Sequence, residues 1–368
     1  MPKQTPKKIV ICSREWGSST GRYARKLVEH LQDIDKKNNY TVLMPEKDYK
    51  EWTPTSPNFK KMICSYENYS VGEQTGLKKM LDDLRPDLVH FTMTQQPIFY
   101  KGKTVTTMHD LTILRFNNPS KNRYVYYTKK LIYGIVCRIA AKKSIGVLVP
   151  TSYVKADVAS YTKIKSSKIH TTYEGASFLD IPAKKIDNLL DKRYIMYVGR
   201  PNPHKNLERL IEAFSIIQSS YPDLHLVLAG AKDTLYMEIQ KNYADKISNI
   251  YFTDYISDSE LRWLYENCEA YIFPSLSEGF GLPGLEAMSH NAPVISSNAT
   301  CLPEVYGDAA LYFNPYDIDD MAQKIKHLLT KRTDRKALIK KGKERSKLYS
   351  WRKMAIETLD IYNTALSK

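Results

Sequence analysis

Two stretches of this chain combine side chains and backbone suited to gripping a diphosphate and a polyol. In the first, Gly199-Arg200 runs into Pro201-Asn202-Pro203-His204-Lys205-Asn206. Arg200 and Lys205 stand five positions apart across a Pro-rich turn, so both cations can point at one diphosphate and offset charge on a leaving pyrophosphate. The ordinary alternative is that Arg200 pairs with a nearby acid and Lys205 is a solvated first-turn residue. The second stretch, Pro274 to Leu302, holds Glu278-Gly279-Phe280-Gly281-Leu282 and then Glu286. Glycine lets backbone approach a ligand closely. The N–H groups of Phe280, Gly281 and Leu282, at a helix start, favour phosphate or other electron-rich oxygens. Glu278 and Glu286 are eight apart and could accept vicinal hydroxyls of a sugar ring or ribose. Taken alone, a lone Glu there is more often a helix-dipole residue.

Three smaller features need weighing. His109-Asp110 ends the run KTVTTMHD, and such a pair more often caps a strand than does chemistry. Gly17 to Gly21 forms a glycine-containing loop after the first apolar run. Asp33-Ile34-Asp35 and Asp317-Ile318-Asp319 both spell a DxD of the kind that holds metal in some transferases. The first lies at a helix end beside Lys36 and Lys37, and the second begins a helix, where capping suffices. No metal site and no cofactor are expected.

The elements that must position these residues alternate. KIVICS (8–13), TVLM (41–44), DLVHF (87–91), KTVTTMHD (103–110) and SIGVLVPTS (144–152) are short apolar runs separated by helical patterns. That alternation predicts a parallel sheet covered on both faces. Periodicity weakens over 177–192, the expected linker, and the pattern restarts with RYIMYVGR (193–200), HLVLAG (225–230), NIYF (249–252), AYIFP (270–274), PVISS (293–297) and ALYFNP (310–315). The fold class is α/β. Residues 1–176 should form one Rossmann-like domain and 193–350 a second, with ligands at the carboxyl ends of the strands, in a cleft between the two. Asn122 to Lys143 reads as a long amphipathic helix whose buried face would be Tyr127, Leu131, Ile135 and Ile139.

With 368 residues, two domains are the natural prior. Composition is ordinary for a globular protein, at 42% hydrophobic and 26% charged. The net charge of +15 is informative because of where it sits: residues 1–175 carry 30 basic and 15 acidic side chains, whereas 176–368 carry 25 of each. Residues 101–150 alone hold ten cations and one acid, Asp110. Such a field suits an anionic membrane surface, a phosphate-bearing acceptor or a nucleic acid, or is simply a solvated face. Cys12, Cys64, Cys137, Cys268 and Cys301 lack metal spacing, and buried thiols in a reducing compartment are expected. No signal-peptide core follows the N-terminus, and no run approaches the ~18 apolar residues of a membrane span. A cytoplasmic protein, at most peripheral at the inner membrane face, is the expectation.

Gly199-Arg200...Lys205 with Glu278-Gly279-Phe280-Gly281-Leu282-Pro283...Glu286-Ala287-Met288 resembles family 4 of the retaining glycosyltransferases (glycosyl transferases group 1). The resemblance extends through Pro293-Val294, Leu302-Pro303-Glu304-Val305 and Gly307-Asp308-Ala309-Ala310. In the first half it includes Thr20-Gly21-Arg22-Tyr23, Pro86-Asp87-Leu88-Val89-His90 and Met108-His109-Asp110-Leu111. It implies a GT-B architecture, with a nucleotide-sugar donor held by the second domain, acceptor by the first, and a C-terminal helix (351–368) crossing back to the first. By matching position, it implies that Arg200 and Lys205 bind the donor diphosphate. Glu278 would hold sugar hydroxyls with Gly279 and the amides of Phe280, Gly281 and Leu282 beside it. Glu286 would bind the ribose, the Gly21 loop would approach the phosphates, and His109 would contact the sugar near the reacting carbon. The donor base would be read near Tyr255.

The implied reaction is retention at the anomeric carbon, metal-independent, with no side chain as general base. Phrases such as SLSEGFGLP resemble the family's mannosyltransferases, so GDP-mannose is the first expectation for the donor and UDP-linked sugars the alternative. The acceptor would be a glycan, glycolipid or lipid-linked saccharide. Gly284, where Val is usual, and His290-Asn291-Ala292 depart from the common pattern. Two rivals from other classes are a nucleic-acid-binding protein using the basic half and a catalytically silent GT-B scaffold. Nothing resembles an RNA or DNA module, and the intact Arg200, Lys205, Glu278 and Glu286 speak against decay.

Overall fold

The computed structural model describes residues 5–117, 123–243 and 246–367. The chain divides into two compact units, Met1–Leu114 with Arg123–Gly175 and Ser350–Lys368, and Arg115–Asn122 with Ala176–Tyr349. The expected linker, 177–192, belongs to the second unit. There the Lys184 N–H donates to the Ser259 carbonyl at 3.0 Å and its ammonium meets Glu260 at 2.8 Å.

The first unit contains β1 (Lys8–Cys12), α1 (Gly21–Ile34), β2 (Asn39–Met44), β3 (Phe59–Ile63), α2 (Lys78–Leu84), β4 (Leu88–Phe91), β5 (Thr104–Thr107), α3 (Arg123–Lys143), β6 (Gly146–Val149), α4 (Ser152–Thr162) and β7 (Ile169–Thr171). Its seven strands are parallel, in the order β3-β2-β1-β4-β5-β6-β7. β1, β4, β5 and β6 are buried almost throughout because helices cover both faces, which is why they read as apolar runs. The edge strands β3 and β7 were not expected. FKKMI has two adjacent lysines and only Phe59 buried, and IHT has three residues, so neither carries the apolar signature of an interior strand.

The second unit contains β8 (Arg193–Val198), α5 (Leu207–Gln218), β9 (Leu224–Ala229), α6 (Thr234–Tyr243), β10 (Ile250–Phe252), α7 (Asp258–Asn267), β11 (Ala270–Phe273), α8 (Leu282–Ser289), β12 (Val294–Ser297), α9 (Leu302–Tyr306), β13 (Ala310–Phe313), α10 (Ile318–Thr330) and α11 (Arg332–Ser346). Its six parallel strands run β10-β9-β8-β11-β12-β13. The strand order reverses between β8 and β11, the switch point at whose carboxyl end such sheets bind ligands.

The final helix, α12 (Trp351–Ser367), belongs to the first unit. It packs along α1, and its Tyr362 hydroxyl contacts Nδ1 of His90 inside the sheet layer. Burial pushes His90 down to about 3, so it is a neutral core histidine, with Nε2 on the Thr107 hydroxyl at 2.8 Å.

One expectation is corrected on α3. Tyr127, Leu131 and Ile135, expected to be buried, are 46%, 67% and 46% exposed, and Ile139 is only half-buried. The face that enters the core carries Tyr133, Val136, Cys137, Ala140 and Ala141, packed with Met108, Val147, Val154 and Val158. Both faces of this helix are apolar at helical spacing, so periodicity alone marks two candidate stripes. The sheet selects the one with small residues, because Ala140 and Ala141 let the helix sit close.

Candidate active site

In the second unit, the switch point brings the two chemistry-bearing stretches together. After β8, Gly199 has φ +144° and Asn206 φ +61°. Asn206 is buried and donates from its amide to the carbonyls of Pro274 (3.1 Å) and Pro315 (2.8 Å). The His204 carbonyl accepts the Leu276 N–H at 2.7 Å. These bonds tie the Arg200–Asn206 loop to the loop after β11. As a result the Lys205 ammonium lies 2.6 Å from a carboxylate oxygen of Glu278, both groups largely sheltered. Arg200 is exposed, and its guanidinium makes no ion pair among the described residues. So Lys205 is neither solvated nor alone, and Arg200 is the cation left facing outward.

The Glu278 loop is itself held from below. The Glu278 N–H donates to the Thr300 hydroxyl at 3.1 Å, and the Cys301 thiol to the Glu278 carbonyl at 3.2 Å. Gly281 (φ +100°) turns the chain into α8, a conformation costly for any residue with a Cβ. Its carbonyl accepts the Tyr306 hydroxyl at 2.6 Å. Phe280 is buried edge-on against Tyr349 at 5.4 Å, so its ring is structural. Gly279 is buried in the same loop, Leu282 is half-buried at the start of α8, and Glu286 is buried on α8. Tyr255 is 80% exposed beyond β10, next to Asp254, whose carboxylate accepts the N–H groups of Tyr255 (2.7 Å) and Lys232 (3.3 Å).

The departures from the common pattern have local reasons. The Tyr306 ring lies over the first turn of α8, where only Gly284 leaves room. His290 closes α8: its ring stacks on Phe178 at 4.6 Å, Nδ1 faces the Glu286 carbonyl at 2.9 Å and Nε2 accepts the Leu179 N–H at 3.2 Å. Burial holds this imidazole below its usual value, which suits an acceptor nitrogen.

In the first unit, Gly21 opens α1 with no room for a Cβ, which would lie 1.9 Å from the Glu15 carbonyl oxygen. Its N–H donates to the Ser18 hydroxyl at 3.1 Å. His109 follows β5. Its Nε2 faces the Thr92 carbonyl at 3.0 Å, its Nδ1 faces the Glu174 carboxylate at 3.2 Å, and Tyr23 meets the ring edge-on at 5.0 Å. Burial alone would push this imidazole down, but the Glu174 hydrogen bond and charge outweigh it and raise the pKa above its ordinary value. Both ring nitrogens face acceptors, so the protonated form is the satisfied one.

Sequence reasoning missed Glu174, 65 positions from its partner. It also missed the buried pair Arg14–Glu73 at 2.6 Å, where Arg14, just after β1, also donates to the Gln95 carbonyl at 2.7 Å. The lone acid of Thr172-Tyr173-Glu174-Gly175, directly after β7, was the available signal for the first.

One acid of each DxD is engaged within the fold. Asp35 is buried, accepting from Tyr40 (2.6 Å), Asn38 (2.7 Å) and the Lys37 N–H (2.8 Å), and Asp317 caps α10 through the Asp320 N–H at 3.0 Å. Among the described residues no group of three or more His, Cys, Asp or Glu could hold a metal ion. All five cysteines are free and buried, and burial pushes the Cys12, Cys137 and Cys268 thiols up to about 12.

Residues 20–177 match the family model for Glycosyltransferase Family 4, and residues 181–345 match that for Glycosyl transferases group 1. The chain is a family 4 glycosyltransferase. This glycosyltransferase is 29% identical over 279 residues to O-antigen chain mannosyltransferase B of Escherichia coli, covering 71% of this chain and 70% of that one. It is 27% identical to serotype-specific mannosyltransferase WbdA of the same organism over 88% of this chain, and spans only 42% of WbdA's length. Sucrose-phosphate synthase from Thermosynechococcus elongatus shares the fold with a TM-score of 0.78 at 18% identity, over 98% of this chain and 99% of that one. The fold is thus that of the GT-B glycosyltransferases, two Rossmann-like units with parallel sheets.

Proposed function

We propose that this glycosyltransferase moves mannose from GDP-mannose to a hydroxyl of a glycan, glycolipid or lipid-linked saccharide, with retention and without a metal. The observation that carries the reading is the Lys205–Glu278 contact beside the outward-facing Arg200 at the β8/β11 switch point. A diphosphate offers Arg200 and Lys205 the counter-charge that their surroundings supply to only one of them. Glu278, held by Lys205, keeps lone pairs for sugar hydroxyls, and the amides of Gly279, Phe280, Gly281 and Leu282 add donors. Glu286 takes the ribose hydroxyls and Tyr255 is assigned to the base; by resemblance to the family, the Gly21 loop is assigned to the donor phosphates and His109 to the sugar.

In the reaction the bond between the anomeric carbon and the diphosphate oxygen breaks. The acceptor hydroxyl oxygen bonds to that carbon from the same face, and its proton passes to the departing phosphate. Arg200 and Lys205 stabilise the charge that develops on the leaving group. His109, with acceptors at both nitrogens, serves as a donor and positive charge near the sugar rather than as a base. The choice of mannose is supported by the relatives, both of them named as mannosyltransferases in O-antigen or serotype-specific synthesis. The acceptor of this chain is accordingly a growing surface saccharide.

The place of action we assign is the inner face of a membrane, as a peripheral protein. Support comes from the one-sided charge, with ten cations and one acid in residues 101–150, and from five unpaired thiols that suit a reducing compartment. Among the described residues no helix is long and apolar enough to cross a membrane.

A thermal-shift series with GDP, UDP, ADP and TDP and their sugars tests the donor, since a ligand bound only by the folded chain raises its apparent stability. GDP-mannose should give the largest rise. A larger rise with a UDP-sugar replaces the donor, and no rise with any, together with no transfer, returns the silent-scaffold reading. Turnover lost in EDTA and restored by manganese overturns metal independence.

A further inference from the structure

A cavity of about 670 Å³ lies within the first unit, at the end of the sheet opposite that unit's candidate-site residues. Gly146, which opens β6, and His170, on β7, line it, whereas Gly21 and His109 follow the carboxyl ends of β1 and β5. A Cβ at Gly146 would lie 3.3 Å from the Ile361 side chain and 3.5 Å from the His170 ring. A side chain there would press on two of the cavity's own lining residues. α12 contributes Asp360, Ile361 and Thr364, so strand ends, helix ends and the returning helix all meet at this place.

Its charge is one-sided. Lys142, Lys163, Lys165 and Lys168 line it against one acid, Asp360, and among the described residues none of the four ammoniums is in an ion pair. The ordinary role of such lysines is to offset helix ends. Lys142 stands in the last turn of α3, Lys163 caps α4, and the Lys168 ammonium donates to the Lys142 carbonyl at 2.5 Å. That role is too small for four cations. Each helix end carries about half a negative charge, so two ends and Asp360 offset about two of the lysines and leave a surplus of about two. Burial also holds Lys168 below its usual value, and a bound anion would raise it again.

We infer that this cavity binds a soluble sugar phosphate, at a site separate from the donor site of the second unit. A phosphate monoester carries about −1.5 to −2 near neutral pH, which matches the surplus. The volume falls within the roughly 300–1,000 Å³ of small-molecule sites, more than an inorganic anion fills. The Thr364 hydroxyl donates to the Asp360 carbonyl at 2.9 Å and keeps lone pairs for a ligand hydroxyl. The Asp360 carboxylate, out of place in a site for a bare anion, accepts hydroxyls as well. Ile145, Ile164 and Ile361 suit the C–H face of a pyranose ring. The site is independent of the donor and acceptor proposed above.

The test is isothermal calorimetry of the full chain at low salt with mannose 6-phosphate, glucose 1-phosphate, mannose and inorganic phosphate. At least one of the sugar phosphates should bind about tenfold or more tightly than inorganic phosphate, and mannose should not bind. The double variant Lys142→Gln/Lys165→Gln changes two exposed side chains. It should weaken that binding at least about tenfold with thermal unfolding unchanged. Arg200→Ala, which removes the outward cation of the second unit, should leave it unaltered. No binding of either sugar phosphate by wild type overturns the inference, as does equal binding by wild type and the lysine variant. Binding lost in Arg200→Ala and kept in the lysine variant returns the phosphate to the donor site and overturns it too. Inorganic phosphate bound as tightly as the sugar phosphates overturns the sugar part. Phosphatidylglycerol vesicles that sediment wild type but not the lysine variant, without sugar-phosphate binding, overturn it in favour of lipid.

Discussion

A Cβ placed on Gly284 would lie 2.3 Å from the hydroxyl oxygen of Tyr306. That hydroxyl donates to the Gly281 carbonyl at 2.6 Å, so the ring is held over the first turn of the helix that supports Glu286. The missing side chain at 284 and the tyrosine at 306 are two halves of one packing solution.

Gly284→Val should therefore destabilise the second unit by about 1–3 kcal/mol through overpacking, read from denaturant unfolding. Combining it with Tyr306→Leu should recover part of that loss, because the shorter side chain vacates the space. Additive losses in the double variant would show that the two positions do not share it.

Lys205 and Glu278 should be separable by kinetics. Lys205→Ala is expected to weaken nucleoside diphosphate binding about ten- to a hundredfold, and Lys205→Arg should not restore it, since a planar fork does not replace a point charge. Glu278→Gln should lower kcat more than it weakens nucleotide binding, because the partner proposed for it is the sugar. Calorimetry with GDP and initial-rate transfer assays check both, and unchanged transfer by Glu278→Gln would refute its role.

His109 and His290 should bias stability against pH in opposite directions. Glu174 outweighs burial and holds His109 above its unfolded value, so its contribution is full below about pH 6.5 and is lost as pH rises through the raised value. Glu174→Gln should thus cost more stability at pH 5.5 than at pH 8.5. Burial depresses His290, so its contribution is present above the unfolded value and declines as pH falls. Unfolding curves across pH, with proton NMR titration of the two rings, decide the matter; a Glu174→Gln cost independent of pH contradicts it.

Breaking the Arg14–Glu73 pair should be costly because both groups are sheltered from water. Arg14→Met should lose about 3–5 kcal/mol by leaving a buried carboxylate unpaired, while Arg14→Met with Glu73→Leu should lose less. A loss for Arg14→Met below about 1 kcal/mol would place the pair among those that water screens.

The interior strands were legible because parallel sheets covered on both faces demand unbroken apolar runs, as in IVIC and AYIF. Edge strands lack that demand, and β3, with Lys60 and Lys61 inside it, leaves no such trace. The candidate-site loops were legible as residue types at fixed spacing, yet the tie between them was not. Lys205 and Glu278 are 73 positions apart, and only the β8/β11 adjacency converts a candidate phosphate ligand and a candidate sugar ligand into one ion pair. On α3 the sequence offers two apolar faces, and choosing between them needs the sheet, whose surface admits Ala140 and Ala141 but not Leu131.

The bond between His90 and Tyr362 spans 272 positions of chain. The first unit's layer over β4 and α1 is therefore incomplete until α12 has been synthesised, long after residue 175 has emerged. At typical elongation rates that interval is roughly 10–40 s. Throughout it the nascent amino-terminal half stands with a buried surface uncovered, while the second unit forms behind it. A ribosome-bound chain halted before residue 351 should accordingly be a better client for chaperones than either the finished protein or its isolated second unit.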